Sequence, residues 1–295
     1  MKLAYKYKAH PTSEQQEELQ RQFTIHAQIY NHALETLNDT EEWIPKYEMQ
    51  KHLTNWKQSN PDYKTVHSKA AQITVHRIYR AVQGLSSKKQ KGEKVGKLRY
   101  QNSFTSIEYN QSGFDVNEDT VRLSKIGEIP ITKHRDVAGD IKGVTIKQSE
   151  SGEWFVSLIT EIDTQTEIPI QDIESDKVVG IDVNVSNLFA DSEGLILESL
   201  YSFLEPELER VKKEQRNLSR KEYGSNNYEK QKQKLSKAYQ SLVNKRNDVL
   251  HKLSRWYVDN YELVAVEDID SKELSEQSNG LGKLIRAQAW RRFSE

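Results

Sequence analysis

The chain has 295 residues, of which 35% are hydrophobic and 29% charged, with a formal net charge of −1 and a mean hydropathy of −0.83. No apolar run approaches the ~20 residues a bilayer span needs, and Met1–Lys8 holds no apolar signal core, so a cytoplasmic protein without membrane contact is expected. It has no Cys, which excludes disulfides, a thiol nucleophile, iron–sulfur clusters and Cys-based zinc sites.

Lys2–Ala9 alternates, with Leu3, Tyr5 and Tyr7 on one side, and predicts a half-buried strand. Pro11-Thr12-Ser13, with Gln15 and Gln16 placed for a capping box, starts a helix that Leu19, Phe23, Tyr30, Leu34 and Leu37 carry to about Leu37. A second helix is expected over Tyr47–Trp56, broken by Asn60-Pro61. A third is expected from about Val66 to Leu85 on Ala70, Ile73, Ile78, Val82 and Leu85. Arg77, Arg80, Lys88 and Lys89 then lead into a Gly/Lys-rich loop.

Short strand-like runs follow at Phe104–Tyr109, Phe114–Val116, Val121–Leu123, Ile126–Ile131, Ile141–Lys147 and Trp154–Thr160. The last two flank Ser149-Glu150-Ser151-Gly152 as a hairpin. With Lys2–Ala9 they predict an antiparallel β-barrel or sandwich (about 1–10 and 95–162) holding an inserted helical bundle (about 13–90). An acidic linker, with six acids and no base over Thr160–Asp176, closes this first domain at about residue 175.

From 176 to 295 the pattern is α/β. Val178–Val183 is a nearly continuous apolar run, and Leu188–Ala190 and Leu195–Leu197 follow as strands around Asp191-Ser192-Glu193-Gly194. Helical patterns fill Glu205–Arg220 and Tyr228–Tyr257 before the strand Tyr261–Val266. A three-strand meander, a long helical crossover and a parallel fourth strand describe the first part of an RNase H-like fold. Taken together, the class is α+β and multidomain.

Charge is uneven along the chain. Glu205–Tyr257 carries 14 Lys+Arg against 7 Asp+Glu, and Leu85–Gln101 carries Lys88, Lys89, Lys91, Lys94, Lys97 and Arg99 against Glu93 alone. Such blocks fit a phosphate backbone, and they equally fit solvated helix faces.

Two carboxylates stand out. Asp182 is a lone acid in an apolar strand, costly to bury unless paired or bound to a metal. Glu267 lies where a parallel strand runs out, the usual place for a ligand in an open sheet. First and fourth strands are neighbours in an RNase H-like sheet, so the two acids would converge on Mg²⁺ or Mn²⁺ as hard oxygen donors. The same spacing also fits two caps, Asp182 at a turn and Glu267 with Asp268 at the next helix.

Gly180-Ile181-Asp182-Val183-Asn184-Val185-Ser186-Asn187-Leu188 and Leu263-Val264-Ala265-Val266-Glu267-Asp268-Ile269 resemble the first two RuvC motifs of the TnpB family, the OrfB-type proteins of insertion sequences related to type V CRISPR effectors. Ala4–Tyr7 before Pro11–Gln15, Ser103–Tyr109, Leu218–Lys221 with Asn226-Asn227, and His251–Ser254 agree in order and spacing. The resemblance implies a WED-like barrel with a REC-like helical insert for nucleic-acid recognition, followed by a RuvC nuclease domain. The function implied is RNA-guided DNA cleavage, with guide RNA and target DNA as partners and a homodimer admissible. Asp182 and Glu267 become catalytic metal ligands. Arg210, Lys212, Lys213, Arg216, Arg220 and Lys221 would line the guide–target duplex, and Lys88, Lys89, Lys97 and Arg99 would hold RNA or flanking DNA. Tyr5, Tyr7, Trp43 and Trp56 are candidates for base stacking, or for core.

The sequence departs from the family after Trp290–Glu295, where a Cys-rich zinc ribbon and a third acid on a late helix would follow. The metal site is therefore expected to be incomplete, without zinc, and cleavage impaired. A shortened element copy, a sequence boundary, or completion by a second polypeptide would each explain the ending. A non-cleaving RNA- or DNA-binding remnant and an accessory transposase are the competing functions.

Overall fold

The computed structural model describes residues 1–40, 42–162, 173–183 and 187–267. The chain divides into two units, Met1–Thr164 and Gln165–Glu295, the division falling inside the acidic stretch rather than at 175.

In the first unit, β1 (Lys2–Ala9) is followed by α1 (Ser13–Asp39), α2 (Lys46–Ser59) and α3 (Ser68–Gln90). Thr12 caps α1 reciprocally. Its Oγ1 accepts from Gln15 N at 3.3 Å, and its own N–H donates to Gln15 Oε1 at 3.0 Å. Asn60-Pro61 stops α2, as the ring of Pro61 dictates, and a single 3₁₀ turn, Pro61–Lys64, follows. Helix α3 runs five residues beyond Leu85, so Lys88 and Lys89 are in its last turn and not in a loop. Cations there complement the negative end of the helix dipole.

Six strands come next: β2 (Ser106–Asn110), β3 (Phe114–Val116), β4 (Thr120–Leu123), β5 (Gly127–Thr132), β6 (Asp140–Gln148) and β7 (Trp154–Glu161). With β1 they form a curled antiparallel sheet in the order β2-β6-β7-β1-β5-β4-β3. Strand β1 pairs with β7 along its whole length, from Lys2↔Glu161 to Ala9↔Trp154. Among the described residues the end strands β2 and β3 are not paired to each other, so the expected barrel is an unclosed sheet. One core joins Tyr5, Tyr7, Tyr109, Ile129, Val144 and Val156 of the sheet to Leu19 and Phe23 of α1. A second core binds the helices through Ile29, Met49, Leu53, Trp56, Val75 and Ile78.

The second unit has β8 (Val178–Val183), β9 (Asn187–Asp191) and β10 (Ile196–Glu198), the short α4 (Leu200–Phe203), then α5 (Glu205–Ser219), α6 (Asn226–Asn260) and β11 (Leu263–Val266). The sheet order is β10-β9-β8-β11, with β8 antiparallel to β9 and parallel to β11. This is the expected meander, helical crossover and parallel return. Val179, Ile181, Val183, Phe189, Val264 and Val266 share a core with Leu250 and Tyr257 of α6, and the ring of Tyr257 meets that of Phe189 edge-on at 5.6 Å.

Candidate metal centre and nucleic-acid surfaces

Strand alternation decides which side chains reach the open side of the second sheet. Val179, Ile181 and Val183 point into the core, so Gly180 and Asp182 take the opposite face. Cross-strand partners share a face. Ala190 is opposite Asp182, and Ala265 is opposite Gly180. The parallel register ends at Val266↔Ile181, and Glu267 and Asp182 are the next residues along the two chain segments. Both acids line one open cavity of about 550 Å³ with Gly180, Ala190, Ser192 and Ala265.

Asp182 is exposed, so the burial cost anticipated for it does not arise. The apolar character of its strand belongs to the other face. The ion pairs of this unit among the described residues are Lys212–Glu209, Lys245–Glu207, Lys252–Asp248 and Arg255–Asp259, which leave Asp182 and Glu267 unneutralised. Two adjacent, hard, anionic donors facing an open cavity fit a divalent ion of the Mg²⁺ or Mn²⁺ type. Among the described residues no group of three or more His, Cys, Asp or Glu is gathered for a metal.

A third acid, Asp191, also lines the cavity but is committed to structure. Its Oδ1 accepts from the N–H groups of Glu193 and Leu195 at 3.1 and 2.8 Å, and its Oδ2 accepts from the Tyr257 hydroxyl at 2.7 Å. Burial, then this hydrogen bond, push the Tyr257 pKa up. Ser192 ties the turn to β8, its N–H donating to Gly180 O at 2.9 Å and its Oγ accepting from Gly180 N at 3.1 Å. In the sequence, Asp191-Ser192-Glu193-Gly194 reads as a turn and is one. Only the pairing of β9 with β8 brings it to the cavity.

The basic residues fall into two sets, one on each unit. Arg210, Lys213, Arg216 and Arg220 recur every three or four residues, which sets them along one side of α5 and its C-cap, and all four are exposed. Lys221 is exposed just beyond. Lys212 departs from this stripe: it is held by Glu209, and that hydrogen bond raises its pKa. In the first unit Lys88, Lys89, Lys97 and Arg99 are all exposed.

The four aromatics separate cleanly. Tyr5, Tyr7 and Trp56 are buried in the two cores and are not free to stack bases, whereas Trp43 is 57% exposed. The Tyr7 hydroxyl donates to Arg135 O at 2.9 Å, the usual requirement of a buried tyrosine.

A curled antiparallel sheet with inserted helices, followed by a 3-2-1-4 mixed sheet bearing two carboxylates, defines the class of protein. A family model described as "Probable transposase" matches residues 158–278, and one described as "Helix-turn-helix domain" matches residues 1–42. The latter residues form β1 and the 27-residue α1 here, and not a helix-turn-helix.

Two curated relatives match over 97% of the chain. One, 29% identical over 72% of its own length, is "Putative RNA-guided DNA endonuclease InsQ" of Escherichia coli (strain K12). The other, "Putative RNA-guided DNA endonuclease" of Streptomyces pristinaespiralis, is 30% identical over 71% of its length. Among solved structures, the cryo-EM structure of a Cas12f1–sgRNA–target DNA complex shares the fold. Its TM-score is 0.54 at 12% identity, covering 96% of this chain and 70% of that one. The chain belongs to the TnpB family of OrfB-type insertion-sequence proteins.

No described helix is long and apolar enough to cross a membrane.

Proposed function

We propose that the protein is an RNA-guided DNA endonuclease, the first unit recognising nucleic acid and the second cutting DNA. The observation that carries this reading is the convergence of Asp182 and Glu267, from paired parallel strands, on one open cavity. Guide RNA and target DNA are the partners that the relatives' names support.

Asp182 and Glu267 would hold Mg²⁺ or Mn²⁺ through carboxylate oxygens. When bound, the ion acts as a Lewis acid that lowers the pKa of a water and stabilises the departing oxygen. Hydrolysis joins the water oxygen to phosphorus and breaks one P–O ester bond, and the departing oxygen takes up a proton. Gly180, Ala190, Ser192 and Ala265 leave the strand backbone uncovered beside the acids, so a phosphodiester can approach both carboxylates. Asp191 and Ser192 position this edge by fixing the turn against β8 and α6. The stripe Arg210, Lys213, Arg216 and Arg220, with Lys212 once freed from Glu209 and with Lys221, meets phosphates of the guide–target duplex. Lys88, Lys89, Lys97 and Arg99 do the same for RNA or flanking DNA. In this arrangement the protein reads backbone and shape while base pairing reads sequence.

The test is cleavage of a guide-matched plasmid in Mn²⁺ or Mg²⁺. The protein is expected to cut it slowly, because the described residues gather no set of three acids for the metal. Asp182→Ala and Glu267→Ala are each expected to lower the rate further, by more than the ~10–100-fold that loss of a ligand's outer-shell partner costs, with RNA binding kept. An intact matched plasmid, or variants that cut like the parent, overturns the reading. Guide-dependent binding without cutting would instead support the non-cleaving alternative.

A further inference from the structure

The exposed basic segment after α3 is moored to the helical bundle at three points spaced three residues apart, the last two on α1. Leu98 packs on the helical core. Gln101 is gripped in both directions by Asn31: its N–H donates to Asn31 Oδ1 at 2.8 Å, and Asn31 Nδ2 donates to its carbonyl at 2.8 Å. Phe104 N–H donates to Phe23 O at 3.3 Å, while its ring meets Tyr30 edge-on at 5.7 Å and has the Arg77 guanidinium 5.0 Å away.

Between the first two anchors lie Arg99 and Tyr100. Both are turned to solvent, Tyr100 at 59% exposure. Upstream, Lys88, Lys89, Lys91, Lys94 and Lys97 are exposed with Glu93 as the one acid. The exposed phenol ring therefore sits on a fixed backbone inside a cationic stretch, a combination that costs little loop ordering on binding and attracts phosphates. Trp43, the exposed one of the four aromatics above, has its ring against Tyr79 at 5.4 Å, in a stretch where Lys46 lies between Glu42 and Glu48 and no cationic run like that of 88–99 occurs.

We propose that Tyr100 stacks on an unpaired base of bound RNA, with Arg99 and Lys97 on the adjacent phosphates. Asn31 is the positioning residue that holds this segment in place. The proposal rests on the nucleic-acid reading above and adds to it a specific contact. The occupant is single-stranded RNA because stacking needs a splayed base, which RNA loops and ends supply and an intact duplex does not.

The test uses the full chain, a labelled unstructured RNA of about 20 nucleotides and a DNA duplex of the same sequence, titrated over a range of salt. Tyr100→Ala is expected to weaken RNA binding about ten- to hundredfold, the range for losing one base–aromatic stack, with the salt slope unchanged because no charge is removed. Tyr100→Trp restores RNA binding, and the duplex is held as before by both variants. Arg99→Ala is expected to flatten the salt slope by about 0.7, as for one phosphate contact on a single strand. Asn31→Ala is expected to weaken RNA binding with the slope kept, at temperatures well below its slightly lowered melting temperature. RNA binding unchanged in Tyr100→Ala, or an equal loss on duplex, overturns the proposal while leaving the broader reading intact. A parent chain that binds no RNA overturns both.

Discussion

In the seven-stranded sheet the side turned from the core carries long charged side chains. Lys6 lies 3.9 Å over the ring of Phe155, and Lys8 pairs with Glu153 at 2.6 Å. In the four-stranded sheet the corresponding side carries Gly180, Ala190, Ser192 and Ala265 around Asp182 and Glu267. Lysine stems seal a pleated surface while their ammonium groups stay in water. Small residues leave the backbone open to whatever approaches. The first surface is finished as it stands, and the second is shaped for a visitor.

One glycine from each unit makes the contrast testable. Gly139 sits at φ +78°, and a Cβ there would come within 2.4 Å of Glu161 O, so the fold itself requires glycine. A Cβ on Gly180 would meet nothing nearer than Ser192 Cβ at 4.0 Å, so the fold does not require glycine there. Gly180→Val is expected to leave the melting temperature unchanged or raised, since valine suits a strand better than glycine. It is expected to cut DNA on the order of a hundredfold more slowly by filling the approach to the carboxylates, the scale set by misplacing a substrate by about 1 Å. Gly139→Ala is expected to lose at least about 1–2 kcal/mol in urea unfolding, the cost of left-handed backbone in a residue with a Cβ. A Gly180→Val protein that cuts like the parent would show that the open face serves no substrate.

Much of this layout was legible in the sequence. Strand β8 matches its expected span end to end because an apolar run interrupted only by Asp182 has sharp edges. Asp182 and Glu267 were visible because a carboxylate stands out against valine and isoleucine. What spacing does not supply is which side of a strand is covered. Asp182 therefore looked buried in its apolar run, although it takes the bare face. Tyr5 and Tyr7, on the apolar side of an alternating strand, read as core and are buried, whereas the exposure of Trp43 depends on partners distant in sequence. Whether β2 and β3 close a barrel also depends on long-range geometry, and they do not pair. Asn31 gave no signal at all, because its grip on Gln101 spans 70 residues.

The first unit also holds a titrating group in its interior, which gives a smaller effect. His26 is buried, and its Nδ1 lies 2.6 Å from Thr74 Oγ1. That hydroxyl donates to Ala70 O at 3.1 Å, so it accepts from Nδ1–H and leaves Nε2 as a bare lone pair with no partner. Burial, helped by Arg77 and Lys57, pushes the His26 pKa from 6.5 down to about 3. The unfolded chain takes up a proton below about pH 6.5 while the folded one refuses it. Stability is therefore full above pH 6.5 and falls between pH 6.5 and about 3, by up to about 1.4 kcal/mol per pH unit. Urea midpoints at pH 7, 6 and 5 should fall more steeply for the parent than for His26→Gln, whose amide does not titrate. Parallel pH profiles would show that His26 is not the group responsible.

Helix starts give the smallest difference between the units. Thr12 and Gln15 satisfy each other's N–H groups, and Gln15 Nε2 also donates to Glu128 O at 2.7 Å, tying α1 to the sheet. At the start of α6, Ser225 Oγ accepts from Tyr228 N at 3.1 Å, but residue 228 is a tyrosine and cannot return the bond to the Ser225 N–H as Gln15 does for Thr12. Thr12→Ala is expected to cost about 1 kcal/mol, and Ser225→Ala about 0.5 kcal/mol, the lower end of the range for an N-cap. Thr12→Ser should recover most of the loss, because a serine hydroxyl reaches the same N–H. Equal losses at the two caps would mean that water serves both helix ends alike, and that the reciprocal Gln15 bond adds nothing to how firmly α1 is set against its sheet.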